Sequence, residues 1–205
     1  MIVNTDKDLY LLRHGQTLFN SKKLISGWSD SPLTDLGIEQ AKRAGDFLRS
    51  RHIKFDHAFC SDLMRARTTL ETIAPFFPYE TKKELREWYF GFYEAELVAI
   101  MPRPPFNDYF CQFNGESQDS VRSRMVSCLT DLMESPENHC IIAVSHGRSC
   151  KEFLDASMGD DADPTAKVPG NCGMMHFRYR AGEFKLIECF DQNDYATELG
   201  LNNID

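Results

Sequence analysis

No apolar run in this 205-residue sequence approaches the thickness of a bilayer. The longest, such as Ile141-Ile142-Ala143-Val144, fall far short of the roughly 20 residues a spanning helix needs. The opening Met1-Ile2-Val3-Asn4-Thr5-Asp6 lacks the basic-then-apolar pattern of a secretory leader, so a cytoplasmic location is expected. None of the seven cysteines are spaced C-x-x-C, which speaks against a zinc knuckle or redox pair. Cys60, Cys140 and Cys189 lie in or beside apolar segments, where free thiols act as small hydrophobes in a reducing compartment. A surplus of positive charge is also missing. The net charge of −8 argues against nucleic acid and anionic membranes as partners. No P-loop, dinucleotide fingerprint or H-E-x-x-H zinc helix occurs. In Gly147-Arg148-Ser149-Cys150-Lys151, Lys151 stands where the second glycine of a nucleophile elbow belongs. Repeats and low-complexity tracts are lacking too.

What is present suffices for a folded core. The hydrophobic fraction of 42% excludes general disorder, and the length fits one domain over residues 1–205. Asp8 to Leu12 reads as a buried strand, ending at Arg13-His14-Gly15. Thr34 is the expected N-cap of a helix carrying Leu36, Gln40, Ala44, Phe47 and Leu48 at helical spacing. Asp56 to Cys60 reads as a second strand. Ser61 or Asp62 then caps a helix running to Ala74, before Pro75 and Pro78. Residues 94–116, with Pro102, Pro104 and Pro105, form a short cap-like excursion above the site. Ser117 opens a helix whose apolar face is Val121, Met125, Cys128, Leu129 and Leu132. Cys140 to Ser145 is a third strand and Gly147 to Ser157 a helix. A hairpin over 174–189 closes the order. Alternating strands and helices predict an α/β fold, a three-layer α/β/α sandwich on a mainly parallel, mixed central sheet.

Such sheets bind ligands beyond the carboxyl ends of their strands. Two strands here end alike, in Leu12-Arg13-His14-Gly15 and Val144-Ser145-His146-Gly147. Cys60-Ser61-Asp62 leads to Arg65 between them. If the strands are neighbours, two histidines and two arginines converge. An imidazole nitrogen can attack phosphorus and divide one hard displacement into two easier ones. Gly15 lets the backbone pass close to a phosphate. Arg13 and Arg65 offer forked donors to its oxygens, and a protonated His146 offers another. Glu87, beside aromatic residues, is the expected proton donor for the leaving group. No metal is required. His52, His57, His139 and His176 lack such a setting and are read as structural.

These residues carry a family resemblance. Leu12-Arg13-His14-Gly15-Gln16-Thr17 with Asn20, and Gly27-Trp28-Ser29-Asp30-Ser31-Pro32-Leu33-Thr34 with Gly37, stand first. Ser61-Asp62-Leu63-Met64-Arg65-Ala66 with Thr69, Leu85-Arg86-Glu87 with Gly91, Gly115-Glu116-Ser117 and Val144-Ser145-His146-Gly147 follow. In this order they resemble the histidine phosphatase superfamily, specifically its phosphoglycerate mutase-like branch. The resemblance implies that His14 is the phosphorylated nucleophile and Glu87 the proton donor, with Arg13, Arg65 and His146 completing the phosphate pocket. It implies a substrate lining of Asn20, Ser26 and Gly27, with Gln16, Thr17 and Gly147 nearby.

The excursion offers only Arg103 amid Phe106, Tyr109, Phe110 and Phe113. An aromatic, weakly basic cover suits a monophosphate ester with a neutral or apolar remainder. The expected activity is therefore hydrolysis of small phosphate monoesters, best at mildly acidic pH. The alternatives are a phosphoglycerate mutase, with 2,3-bisphosphoglycerate as cofactor, and a non-enzymatic phosphate-ligand sensor. The expected partner is a small phosphorylated metabolite. The aromatic segment from Trp88 to Tyr93 is left open as lid, core or homodimer surface.

Overall fold

Four consecutive side chains, Leu9 to Leu12, are buried in strand β1 (Lys7–Arg13), so neither face of that strand meets water. A strand apolar on both faces belongs in the middle of a covered sheet. The computed structural model, which describes residues 6–159 and 168–204, places it there. In chain order the elements are β1, α1 (Leu18–Ser21), α2 (Asp35–Ser50), β2 (His57–Ser61), α3 (Met64–Ile73) and β3 (Glu80–Lys82). Then come α4 (Gln118–Glu134), β4 (Cys140–Ser145), α5 (Gly147–Met158), β5 (Met174–Arg180), β6 (Glu183–Phe190) and α6 (Gln192–Leu199). The sheet order is β3-β2-β4-β1-β5-β6. The first four strands are parallel, and β5 and β6 run antiparallel.

Alternation along the central strands sorts the core into two layers. Leu9, Leu11, Ile141 and Ala143 pack against Met125 and Leu129 of α4 and Phe153 of α5. Tyr10, Leu12, Ile142 and Val144 face α2, α3 and α6, meeting Ala44, Phe47, Leu70 and Tyr195. The result is the three-layer sandwich. A third cluster of Ile25, Trp88, Phe90, Phe106, Phe110 and Val121 forms a roof beside it. Residues 94–116 contribute two short 3-10 turns to that roof, Val98–Ile100 and Tyr109–Phe113.

Thr34 and Ser117 cap α2 and α4 through their hydroxyls. The cap of α3 differs from expectation. Leu63 occupies the N-cap position without a side-chain bond. Asp62 pairs instead with Arg86, and Asp30 accepts the Met64 N–H. A distant acid, Asp30, took the cap role because the loop bearing it folds over the start of α3. Short elements without periodicity (α1, β3 and α6) were not anticipated. Of the cysteines, Cys60 is buried, but Cys189 is exposed on β6.

Candidate active site

Register brings the two His-Gly pairs together. Arg13 of β1 lies opposite Ser145 of β4, so His14 and His146 follow as neighbours. Their ring centroids are 5.1 Å apart. β2 flanks β4 on its other side, and α3 after it delivers Arg65. The convergence required of neighbouring strands is present.

His14 is held through its main chain on every side. Its N–H donates to Ser145 O at 3.0 Å, and its carbonyl accepts from Asn171 Nδ2 at 3.0 Å and Cys172 N at 3.2 Å. The next N–H, of Gly15, reaches Thr69 Oγ1 at 3.0 Å, and that hydroxyl donates to Arg65 O at 2.7 Å. The ring is oriented as firmly. Nδ1 lies 2.7 Å from Gly15 O, and since a carbonyl only accepts, Nδ1 carries the proton. Nε2 therefore presents a lone pair. Burial first, then Arg65 and Arg13, push the His14 pKa well below the ordinary imidazole value, with the Gly15 carbonyl opposing. The ring is neutral, as a nucleophile must be.

His146 has the opposite tautomer. Arg65 Nε donates to its Nδ1 at 3.1 Å, so the proton of the neutral ring sits on Nε2. Burial, followed by the charges of Arg65, His14, Arg124 and Arg13, depresses its pKa well below the ordinary value. The sequence reading required a protonated His146 as donor. In the structure the neutral ring already carries a proton at Nε2 that it can donate. Its Nε2 is buried with no hydrogen-bond partner, and the same is true of Arg13 Nε. Arg13 lies across the first turn of α5, where a Cβ on Gly147 would sit 3.3 Å from Arg13 Nε.

Arg65 departs from its expected role. Its side chain is fully buried, and all five of its N–H bonds are engaged within the protein. Nε serves His146, while Nη1 reaches Ser29 O at 3.1 Å and Asp30 Oδ1 at 3.0 Å. Nη2 reaches Gly27 O at 2.6 Å and Ser26 O at 3.3 Å. The fork drawn toward a phosphate is spent on the 26–30 loop, because that loop crosses directly over α3. The other side of the same loop meets Glu94, whose carboxylate accepts from Gly27 N, Trp28 N and Ser29 N at 2.8 to 3.2 Å. Two peptide groups, 26–27 and 27–28, thus donate to an anion and accept from a cation. Glu94 and Arg65 thus hold the same two peptide groups from opposite sides.

Glu87 is buried, and its carbonyl accepts from the Trp28 indole N–H at 3.0 Å. Trp88 turns into the roof, while the Glu87 carboxyl turns to the start of α5. Oε1 accepts from Trp88 N at 2.8 Å and Ser149 N at 2.9 Å, and the Ser149 hydroxyl 3.1 Å away gives its one proton to Arg86 O at 2.7 Å. Oε2 accepts only from Arg148 N, at 3.0 Å. Since α5 has no side-chain cap of its own, Glu87 caps it from a distance and faces the positive end of its dipole. Arg124 pins the loop beneath, donating to Glu84 O, Arg86 O and Glu87 O at 2.6 to 2.9 Å.

The remaining expected residues divide. Gly15 also serves packing: a Cβ there would lie 2.5 Å from Gly37 O, so the glycine lets this loop close against α2. Gln16 is tied to the same helix start through Thr34 and Gln40. Thr17 is fully buried and forms a reciprocal capping box with Asn20 on α1. Asn20 also accepts from Asn171 Nδ2 at 3.3 Å, beside the His14 carbonyl. Ser26 and Gly27 contribute carbonyls to Arg65. Asn171, Arg124 and Glu94 were missed as site residues. Each is a lone polar residue outside a recurring pattern, and its role depends on contacts distant in sequence.

The fold and site define an α/β protein with two neutral, oppositely polarised histidines at adjacent strand ends. The chain belongs to the histidine phosphatase superfamily (branch 1), whose family profile matches residues 9–192. A broad-specificity phosphatase of Saccharomyces cerevisiae is 32% identical over 156 residues, covering 71% of this chain and 68% of the yeast protein. A Yersinia pestis protein named as a probable phosphoglycerate mutase is 30% identical over 84% of this chain and 85% of its own. A 2,3-bisphosphoglycerate-dependent phosphoglycerate mutase of Xanthobacter autotrophicus reaches 51% identity over 69 residues, and the match spans one third (33%) of its length. Among solved structures, a phosphoserine phosphatase from Entamoeba histolytica has a TM-score of 0.75 at 28% identity, covering 89% of this chain and 95% of that one. A phosphoglycerate mutase from Bacillus anthracis shares the fold with a TM-score of 0.82 at 23% identity, covering 94% and 96% of the two chains.

Proposed function

We propose that this protein transfers phosphoryl groups through His14 and that water is the acceptor, making it a phosphatase of small phosphate monoesters. The observation that carries the reading is the pair of unpartnered buried donors, Arg13 Nε and His146 Nε2, beside the His14 ring. A buried donor without a partner carries a free-energy cost, and phosphate oxygens supply the missing acceptors.

In the proposed reaction His14 Nε2 attacks phosphorus as the ester P–O bond breaks. The departing oxygen takes a proton from Glu87, which enters the step as the neutral acid with its proton on Oε2, the oxygen bound by a single N–H. Glu87 then accepts a proton from the water that displaces the phosphoryl group from His14, and both side chains are restored. Arg65 keeps His146 in its donor tautomer. Arg13, His146 and the start of α5 provide the preorganised positive field that a divalent ion supplies elsewhere, so the reading needs no metal. Seven free cysteines support a reducing compartment such as the cytoplasm.

The test is a phosphate-release screen over sugar phosphates, phosphoglycerates, nucleotides and phosphoamino acids with excess EDTA present. Release that is lost in His14→Ala, with acid-labile phosphate trapped on His14 in the unaltered enzyme, is the expected result. A His14→Ala enzyme that still turns over would sink the mechanism. Interconversion of 2- and 3-phosphoglycerate stimulated by 2,3-bisphosphoglycerate, outpacing release, would make the protein a mutase instead.

A further inference from the structure

The arginines of this chain are mostly matched to acids. Arg43, Arg49, Arg51, Arg65, Arg86, Arg122, Arg124, Arg178 and Arg180 each lie within ion-pair distance of an Asp or Glu. In a chain of net charge −8, acids are plentiful. Arg148 nonetheless has no such partner among the described residues, and it is exposed.

Its position is fixed from two sides. Its own N–H is the group that binds Glu87 Oε2, so Arg148 stands in the first turn of α5 next to the proposed proton donor. Its guanidinium carbon lies 4.9 Å from the centre of the Phe106 ring, and Phe106 is buried in the roof. Stacking uses the flat face of a guanidinium and leaves its edge, with the N–H donors, free. The aromatic cover thus orients an otherwise flexible side chain and presents its edge for hydrogen bonding. Arg148 also sits close enough to Arg13 for its positive charge to act on that residue. Two guanidinium groups without an acidic ion-pair partner among the described residues thus share one region.

This alters the reading of the cover as weakly basic. That reading counted residues inside the excursion, where Arg103 is exposed at Pro102-Arg103-Pro104. The structure brings a cation to the underside of the excursion from α5.

We infer that Arg148 recognises a second anionic group on the substrate, a carboxylate or second phosphate near the ester, and so selects acidic phosphomonoesters over neutral ones. The inference rests on the phosphoryl-transfer reading of the site and names its substrate class.

Matched pairs test it. 3-Phosphoglycerate and glycerol 3-phosphate differ by a carboxylate in place of a hydroxymethyl group. Fructose 1,6-bisphosphate and fructose 1-phosphate differ by one phosphate. The unaltered enzyme should favour the more acidic member of at least one pair by about tenfold or more in kcat/KM, chiefly through KM. The pair showing the preference tells carboxylate from phosphate. Arg148→Met, which keeps an apolar stem against Phe106, should bring the two members level, and Arg148→Lys should restore part of the preference. No preference in the unaltered enzyme, or one that survives in Arg148→Met, overturns the proposal. If no ester is turned over, the phosphatase reading fails on its own. Calorimetric binding of the same esters to His14→Ala then decides on Arg148 separately, by the same ratio between acidic and neutral members.

Discussion

His14 and His146 are near twins in sequence, each following a strand and preceding a glycine, yet their surroundings give them opposite polarity. His14 spends its Nδ1 proton on the carbonyl of its own neighbour, Gly15, and offers a lone pair at Nε2. His146 receives an N–H at Nδ1 from Arg65 and offers a proton at Nε2. Both rings are neutral because burial and nearby guanidinium groups oppose a further proton. In the proposed mechanism one serves as nucleophile and the other as donor, with no difference in charge between them. The lesson is that the partner of the far nitrogen, not the histidine or its motif, sets the role.

Replacing each in turn should break the symmetry of the motif. His14→Gln has no nucleophile, and phosphate release should fall by about 10⁴-fold or more. His146→Gln keeps an amide N–H that can donate. It should still form the phosphohistidine while losing about 10²- to 10³-fold in kcat, the usual cost of weakening one oxyanion donor. Equal losses with no phosphohistidine in either variant would refute the division of roles. Arg65→Met should cost less, about tenfold or more, by releasing the His146 tautomer and the 26–30 loop. Nitrogen NMR of labelled histidine would check the cause: His146 should shift its proton between Nδ1 and Nε2, while His14 keeps its own on Nδ1.

The sequence shows the floor of the site far better than it shows what tunes it. Strand-length apolar runs ending in the same His-Gly pair locate His14 and His146, because sheet periodicity and ligand placement are local and general features. Arg65 is legible as a helix-start arginine. Its partners are not: they come from residues 26–30 and from His146, 81 positions away. The tautomers follow from those contacts and were equally hidden. Glu87 was found, but not the N–H groups of α5 that hold its carboxyl, because they lie far along the chain. Arg148 was passed over because only the packing of α5 under Phe106 gives it a role.

The depressed histidine pKa values carry a smaller consequence, for stability and not for rate. In the unfolded chain both rings titrate near 6.5, whereas the folded protein keeps them neutral well below that. Above pH 6.5 neither state binds the extra protons, and the stability of the native fold is fully present. As pH falls through 6.5 the unfolded chain takes up protons that the folded chain refuses, so stability declines. At pH 5.5 the loss amounts to about 1.4 kcal/mol for each histidine, and at most about 3 kcal/mol for the two. Urea unfolding at pH 7.5 and 5.5 measures it. The unaltered protein should lose more stability between those values than a variant with both His14→Gln and His146→Gln, while the other four histidines contribute equally to both proteins and cancel. An identical loss in the two proteins would mean that these rings accept protons in the fold near 6.5. The nucleophile would then be charged at mildly acidic pH, and the contrast between a bare lone pair and a bare N–H would hold only above about pH 6.5.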